Sequence, residues 1–362
     1  MRIFQNSGIY NGYIPRLRAL TRGITSFNKY LEIFLNDRFG ACHFLLPVLN
    51  KTPNAFFTNG DDEILQRLWA KEQGMPLNTS LTAILVAQIE HHRTEVFYNL
   101  DPMRYSSNFI KKLPSCVKQS IAWRAAPSPG ADFSAYEFVV CNFPSILDGY
   151  KRHGWRTAYF SPAYDPVMGK YANRNNRPID VLFVGSYSRH HARRVTLLEN
   201  ISRLQYSHKV VYCLDASRLT KLSESSIGRL LPLLSAYRRP LNIEQLALPA
   251  VFGLQLYELL SQAKIVINGA IDMAGNDRGN MRCFEAMGCG ALLVSDEGLY
   301  PVGMKSGKTI LTYKDSEDAV DIVSAALNDF SGFSKISSAG QSMVSNHYSK
   351  SRQWEDFVCL VS

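Results

Sequence analysis

Along the first 165 residues, short apolar runs rich in β-branched and aromatic residues alternate with segments whose apolar positions recur every three to four residues. The runs at 43–49 (HFLLPVL), 95–100 (EVFYNL), 119–123 (QSIAW), 136–142 (YEFVVCN) and 157–161 (TAYFS) read as strands, as does the opening MRIFQ. Residues 63–73, 81–91 and 145–153 read as helices. Such alternation predicts a parallel sheet covered by helices. A polar stretch without periodicity follows, and residues 166–178 read as a linker. The alternation restarts at 180–185 (DVLFVG), with a helix at 191–204 and a strand at 208–214. After a poorly patterned stretch at 217–249, a helix at 254–262 leads to a strand at 264–268, and a helix at 282–287 to a strand at 291–295. A strand at 309–312 and helices at 317–328, 333–344 and 350–361 complete the chain.

The expected fold is α/β, with two Rossmann-like, doubly wound domains facing a central cleft. Residues 1–165 form the first domain and 179–348 the second, and 349–362 form a helix packing back on the first. Open α/β sheets bind ligands beyond the carboxyl ends of their strands, which locates the chemistry in advance.

Composition narrows the picture. A chain of 362 residues with 46% hydrophobic and 20% charged residues is too apolar for disorder and too long for one ordinary domain. Its longest apolar runs fall far short of the roughly 20 residues of a spanning helix, and its first residues lack the apolar core of a secretory signal. The expected location is cytoplasmic, with peripheral attachment at the inner face of the membrane as a variant of that reading. The seven cysteines are scattered and show no Cys-x-x-Cys, arguing against a disulfide framework or a zinc site. The net charge of +9 fits nucleic acid, anionic lipid headgroups or a polyanionic small molecule. No Lys/Arg run reaches the length of a nucleic-acid patch, which sets that partner aside. Adjacent histidines at 190 and 191 face different directions on a helix and have no third ligand nearby, so no metal is expected.

The most informative segment is IDMAGNDRGNMRCFEAMGCGALLVSDEG, residues 271–298. A glycine-bearing loop runs into a helix that is closed by Gly288 and Gly290, and a buried strand follows. A loop entering a helix presents backbone N–H groups and the positive end of the helix dipole, which suits phosphate. Asp277 and Glu285 stand eight residues apart, a spacing that lets two carboxylates serve the two ends of one ligand. On spacing alone the segment fits equally well a solvated glutamate and ordinary capping glycines.

Residues 277–290 resemble the carboxylate-x7-Glu signature and following Glu-Ala-x-x-Cys-Gly of group 1 retaining glycosyltransferases with the GT-B fold. NMRCFEAMGCGALLVSD (280–296) is similar to the branch that includes bacterial spore-maturation glycosyltransferases. VLFVGSYSRHHARRVTLLE (181–199) resembles the first strand and phosphate-side helix of that family's donor domain, and YFSPAYDP (159–166) the segment closing its acceptor domain. FYNLDPMRYSS and AWRAAPSPGADFSAYEFVVCNFPS resemble the acceptor domain more diffusely. The first glutamate of the signature is Asp277 here, one methylene shorter, and Arg278 follows where small residues are common. The resemblance implies that Glu285 holds the donor ribose. It implies a diphosphate site made by Gly185, Ser186, Arg189, Arg193, Arg194, Gly279, Asn280, Met281 and Arg282, with Asp277 or its backbone on the sugar. Arg193 and Arg194 point about 100° apart on a helix, so at most one is expected to reach the ligand.

The expected function is transfer of a sugar from a nucleoside-diphosphate donor to a glycan, lipid-linked or protein-linked acceptor in cell-surface glycoconjugate synthesis. The resemblance implies retention of configuration, with no metal and no cofactor beyond the donor itself. Should the enzyme invert, a base is needed, and Asp101, directly after a strand, or His91 supplies it. Two alternatives share the fold: a nucleotide-sugar-binding protein without turnover, and a nucleotide-sugar epimerase.

Overall fold

Apolar runs buried on both faces leave a strand no solvated side, and such strands assemble into parallel sheets covered by helices. The computed structural model describes residues 1–187, 192–269 and 273–362, and its contacts divide the chain into two units. The first comprises Met1–Ala163, Met273–Asp277 and Tyr348–Ser362, and the second Tyr164–Asp272 and Arg278–His347.

In the first unit, strands β1 (Ile3–Ser7), β2 (Ala55–Asn59), β3 (Val96–Asn99), β4 (Gln119–Trp123), β5 (Phe138–Cys141) and β6 (Thr157–Tyr159) form one sheet. Their order is β2-β1-β3-β4-β5-β6, and all the pairs are parallel. The chain leaves β1 toward β2 on one side and returns to β3 on the other. The order therefore reverses between β1 and β3, which opens a crevice at their carboxyl ends.

The second unit repeats the plan with β7 (Ile179–Ser186), β8 (Val210–Asp215), β9 (Ala247–Pro249), β10 (Ala263–Asn268), β11 (Leu292–Asp296) and β12 (Leu311–Tyr313). The order β12-β11-β10-β7-β8-β9 reverses between β7 and β10. Val181, Phe183, Ile265, Ile267, Leu292 and Val294 form the sheet side of its core, against Leu197, Leu198 and Ile201 of the helix Ala192–Ser202.

One apolar run does not become a strand. Residues 43–49 form the end of a 3-10 turn (Ala41–His43) and a short helix, Leu46–Leu49, with Pro47 in its first turn. The buried Gln5 side chain stands in for a ladder partner: its Nε2 donates to the His43 carbonyl at 2.9 Å, and its Oε1 accepts from the Leu45 N–H at 3.0 Å. The edge strand is instead Ala55–Asn59. Residues 166–172 are also structured, as a 3-10 turn (Pro166–Met168) and a helical turn (Gly169–Ala172) within the second unit. Arg177 fastens them by donating to the carbonyls of Ala172, Cys289 and Ala263 at 2.9, 3.1 and 3.0 Å. Gly288 and Gly290 make this approach possible. A Cβ on Gly288 would lie 2.4 Å from the Met168 sulfur, and one on Gly290, where φ is +75°, 2.6 Å from the Ala172 carbonyl oxygen.

The final helix, Lys350–Val361, belongs to the first unit. Its buried Lys350 ammonium donates to the carbonyls of Cys42 and Phe44 and to Gln353 Oε1 at 3.0, 2.7 and 3.0 Å. Phe357 is fully buried, with its ring 5.2 Å from that of Tyr98 and 5.9 Å from that of Phe160. Removing so large a buried ring leaves a cavity, so Phe357→Ala should lower unfolding free energy by about 3–5 kcal/mol. Denaturant unfolding followed by tryptophan fluorescence measures the loss, and a change below about 1 kcal/mol would show that the helix contributes little to this core.

Candidate functional site

The chain leaves β7 through Gly185 and Ser186, and β10 through Asn268 and Gly269, at neighbouring points of the second sheet. Arg194, on the helix Ala192–Ser202, reaches both ends. Its Nη2 donates to the Gly269 carbonyl at 2.8 Å, and its Nη1 lies 3.4 Å from both the carbonyl and the hydroxyl of Ser186. The guanidinium is buried, 5.8 Å from the centre of the Phe183 ring. A planar five-donor group on a hydrophobic floor suits this position, since it can satisfy several oxygens at once. Arg193, one residue earlier, is exposed, and Arg189 lies outside the described residues.

A polar chain links this point to the glycine-bearing loop. Asn268 donates through Nδ2 to Ser295 Oγ at 3.0 Å, its carbonyl accepts from the Tyr313 hydroxyl at 2.8 Å, and its Oδ1 accepts from Asn280 Nδ2 at 3.2 Å. Asn280 is the residue before the helix Met281–Gly288, and its side chain makes no capping bond to that helix. The preceding Gly279, at φ +100°, takes the chain through a left-handed conformation that other residues resist. The helix thus begins beside the end of β10, and the Asn280 side chain, turned to Asn268, does not cap it. That arrangement favours an anion.

Glu285, one turn into this helix, is 3% exposed, and its Oε2 accepts from Arg282 Nη1 at 2.6 Å. Burial pushes its carboxyl above the ordinary value, and the Arg282 guanidinium partly reverses that shift. Asp277 stands elsewhere. Its carboxylate accepts from the Ser145 N–H at 2.7 Å, at the start of the helix Pro144–Arg152, and Ser145 Oγ donates to the Ala274 carbonyl at 2.9 Å. Residues 273–277 fall within the first unit, whereas Glu285 lies in the second, so the two carboxylates of the sequence signature are divided between units. Arg278 is also engaged, with Nε 2.5 Å from Asp296 Oδ2.

The first unit has a polar cluster at its own reversal point. Asp101 Oδ2 accepts from Arg104 Nε at 3.2 Å, and Asp61 lies 3.8 Å from Arg104 Nη2 while accepting from the Ile9 N–H at 3.0 Å. Burial, reinforced by Asp101, raises the Asp61 carboxyl above its usual range against the pull of the Ile9 N–H and Arg104. A Cβ on Gly8 would lie 3.0 Å from Asp101 Oδ2, so a side chain there would press on that carboxylate. Beneath it, Asn6 donates to Asn99 Oδ1 at 2.9 Å, which also accepts from the Asp101 N–H at 3.0 Å. Asp61 is not among the residues expected from the sequence, because the apolar run of β2 is only four residues, AFFT; the turn residues Asn59-Gly60-Asp61 after it carry the signal. His91 is not part of this cluster. It ends the helix before β3, at the amino edge of the sheet, and packs edge-on against Trp69 at 5.9 Å.

Residues 193–358 match a family model described as glycosyl transferase-like. No match to a curated protein sequence was found. Among solved structures, HepE of Anabaena, crystallised with UDP and glucose, aligns over 100% of this chain and 99% of its own at 12% identity, with a TM-score of 0.61. A glycosyltransferase from Rickettsia africae aligns over 99% and 97% at 10% identity, with a TM-score of 0.59. Sucrose-phosphate synthase from Thermosynechococcus elongatus aligns over 100% and 98% at 11% identity, with a TM-score of 0.56. The chain has the GT-B fold. In this GT-B chain the glycosyl transferase-like segment includes Arg194, the helix Met281–Gly288 and Glu285.

The raised Glu285 carboxyl has a thermodynamic consequence. The native state holds this proton to higher pH than the unfolded chain, so its contribution to stability is full below the ordinary value of 4.5 and is lost as pH rises through the folded value. Glu285→Gln should therefore gain stability relative to the wild type as pH rises from about 4 to about 8, by about 1.4 kcal/mol per unit of displacement. Denaturant unfolding at several pH values tests this, and a difference that stays constant with pH would contradict it.

Proposed function

We propose that this chain transfers a glycosyl group from a nucleoside-diphosphate sugar to a hydroxyl of a glycan, lipid-linked or protein-linked acceptor. The observation that carries the reading is the buried Glu285 on a helix that starts at the β7/β10 reversal point, inside a glycosyl transferase-like segment. The binding of UDP and UDP-glucose by HepE, a protein of the same fold, supports a uridine donor.

In this reading the helix start and the amides of Gly279, Asn280 and Met281 receive the diphosphate, together with Arg282 and the exposed Arg193. Negative charge grows on the leaving diphosphate, and these fixed donors stabilise it as it forms. Arg194 holds the floor of the site through Ser186 and Gly269. Glu285 accepts the ribose hydroxyls and exchanges part of its contact with Arg282 to do so. Asp277 acts at the start of the helix Pro144–Arg152 as a positioning residue. The proposed chemistry retains configuration and uses neither metal nor cofactor. In the first unit, Asp101 and Asp61 with Arg104 offer acceptors and a donor to a hydroxyl-bearing acceptor, and Asp101 is the base in an inverting variant.

Titration calorimetry with UDP, GDP and ADP, and with their glucose conjugates, tests the site. The wild type should bind one uridine series selectively, and Glu285→Gln should weaken that binding at least tenfold, about 1.4 kcal/mol. Unchanged affinity in a folded Glu285→Gln would remove this residue from the donor site. Product analysis with the bound donor separates transfer or hydrolysis from epimer formation and from binding without turnover.

A further inference from the structure

Between β8 and β9 the chain makes a long excursion of short helices: Arg218–Glu224, Ser226–Arg229, a 3-10 segment Pro232–Tyr237 and Leu241–Leu246. Twenty large apolar residues are exposed among the described residues, and eight of them fall in the 25 positions from 217 to 241. Leu233 is 92% exposed, Leu230 80%, Ile227 72% and Leu241 64%. A patch of this kind on a folded protein marks a contact with something else.

The excursion is organised with its polar groups inside. Arg238 donates to the carbonyls of Ser223, Gly228 and Leu231 at 3.0, 2.7 and 3.1 Å. Arg239 grips Glu224 with both Nε and Nη2, at 2.8 and 2.6 Å, in a pair only about a tenth exposed. Gly228 is pressed so closely onto the Leu222 carbonyl that any side chain there would collide with it. Guanidinium, carboxylate and backbone carbonyls therefore tie the short helices together, while the leucines stand outward. Were water the lasting environment, this burial would be reversed, because the apolar side chains gain most from leaving water.

We propose that the outward face of residues 217–241 seats the protein on an anionic lipid bilayer. Of the segment's five Lys or Arg, Arg238 and Arg239 are turned inward and Arg229 pairs with Glu244, while Arg218 and Lys221 are exposed and alternate in sequence with the exposed Leu219 and Leu222; its one acidic residue, Glu224, is held inside by Arg239. Cations at headgroup depth beside short aliphatic side chains are what an anionic interface attracts, through charge and burial together. The composition also favours lipid over a protein partner. Protein interfaces concentrate aromatic residues and methionine, whereas this face is built of leucine and isoleucine, with Tyr237 as its one exposed aromatic among the described residues. The inference does not depend on the donor-site reading.

Flotation of the full chain with vesicles of equal phosphatidylglycerol and phosphatidylcholine, against phosphatidylcholine alone, tests it. Three proteins are compared: the wild type, Leu230→Ser/Leu233→Ser and Arg218→Glu/Lys221→Glu. All four changed side chains are exposed, so circular dichroism and melting temperature should stay as in the wild type. The wild type should partition at least tenfold better onto the anionic vesicles, and each double variant should lose at least tenfold of that partitioning. Equal partitioning of the wild type and the leucine variant would overturn the proposal, as would absence of the wild type from the floated fraction. Sedimentation that shows a wild-type dimer dissolved by Leu230→Ser/Leu233→Ser, with no flotation, would make the face a contact between copies and overturn it too.

Discussion

Two neighbouring parallel strands, β7 and β10, release the chain to opposite sides of the second sheet, and a single buried guanidinium, that of Arg194, is bonded at both exits. A parallel sheet cannot close this gap with its own backbone, since the ladder ends where the two chains part. Arg194 fills it with donors in a plane, on the face of Phe183. The position of Gly185-Ser186 on one side and of Asn268-Gly269 on the other follows from that contact. Asn268 then positions Asn280, and with it the start of the helix that bears Arg282 and Glu285.

Both units use the same device of buried, satisfied polar side chains at the carboxyl ends of their central strands. In the first, Asn6 and Asn99 bond to each other and to the backbone of Gly60 and Asp101. In the second, the Asn268 side chain bonds to those of Ser295 and the half-buried Asn280. Burying amides costs free energy unless each finds a partner, so a fully bonded network fixes one geometry for the loops above it. Those loops carry the ionisable groups: Asp61, Asp101 and Arg104 in one unit, Arg282 and Glu285 in the other.

Much of this was legible in the sequence because parallel strands buried on both faces are continuous apolar runs, and 264–268 and 291–295 stand out as such. The helix spacing of Arg193 and Arg194 likewise separated one exposed from one buried side chain. The failures have physical causes. HFLLPVL has strand composition, but Pro47 and the distant Gln5 side chain hold it in turns, and no local pattern records a partner 38 residues away. The spacing of Asp277 and Glu285 likewise does not record that Asp277 accepts from the Ser145 N–H, 132 positions earlier in the chain. The stretch at 217–249 showed no periodicity because its helices are only four to seven residues long and face their leucines outward.

A nucleoside diphosphate held as proposed at the β7/β10 reversal of the second unit would cover the backbone there. Amide hydrogen exchange with and without saturating UDP measures this most directly, because ligand contact slows exchange where backbone amides are engaged. Exchange should slow in peptides covering 181–187 and 278–288, with residues 55–61 and 97–104 unchanged. Protection confined to the β1/β3 end of the first unit would contradict it.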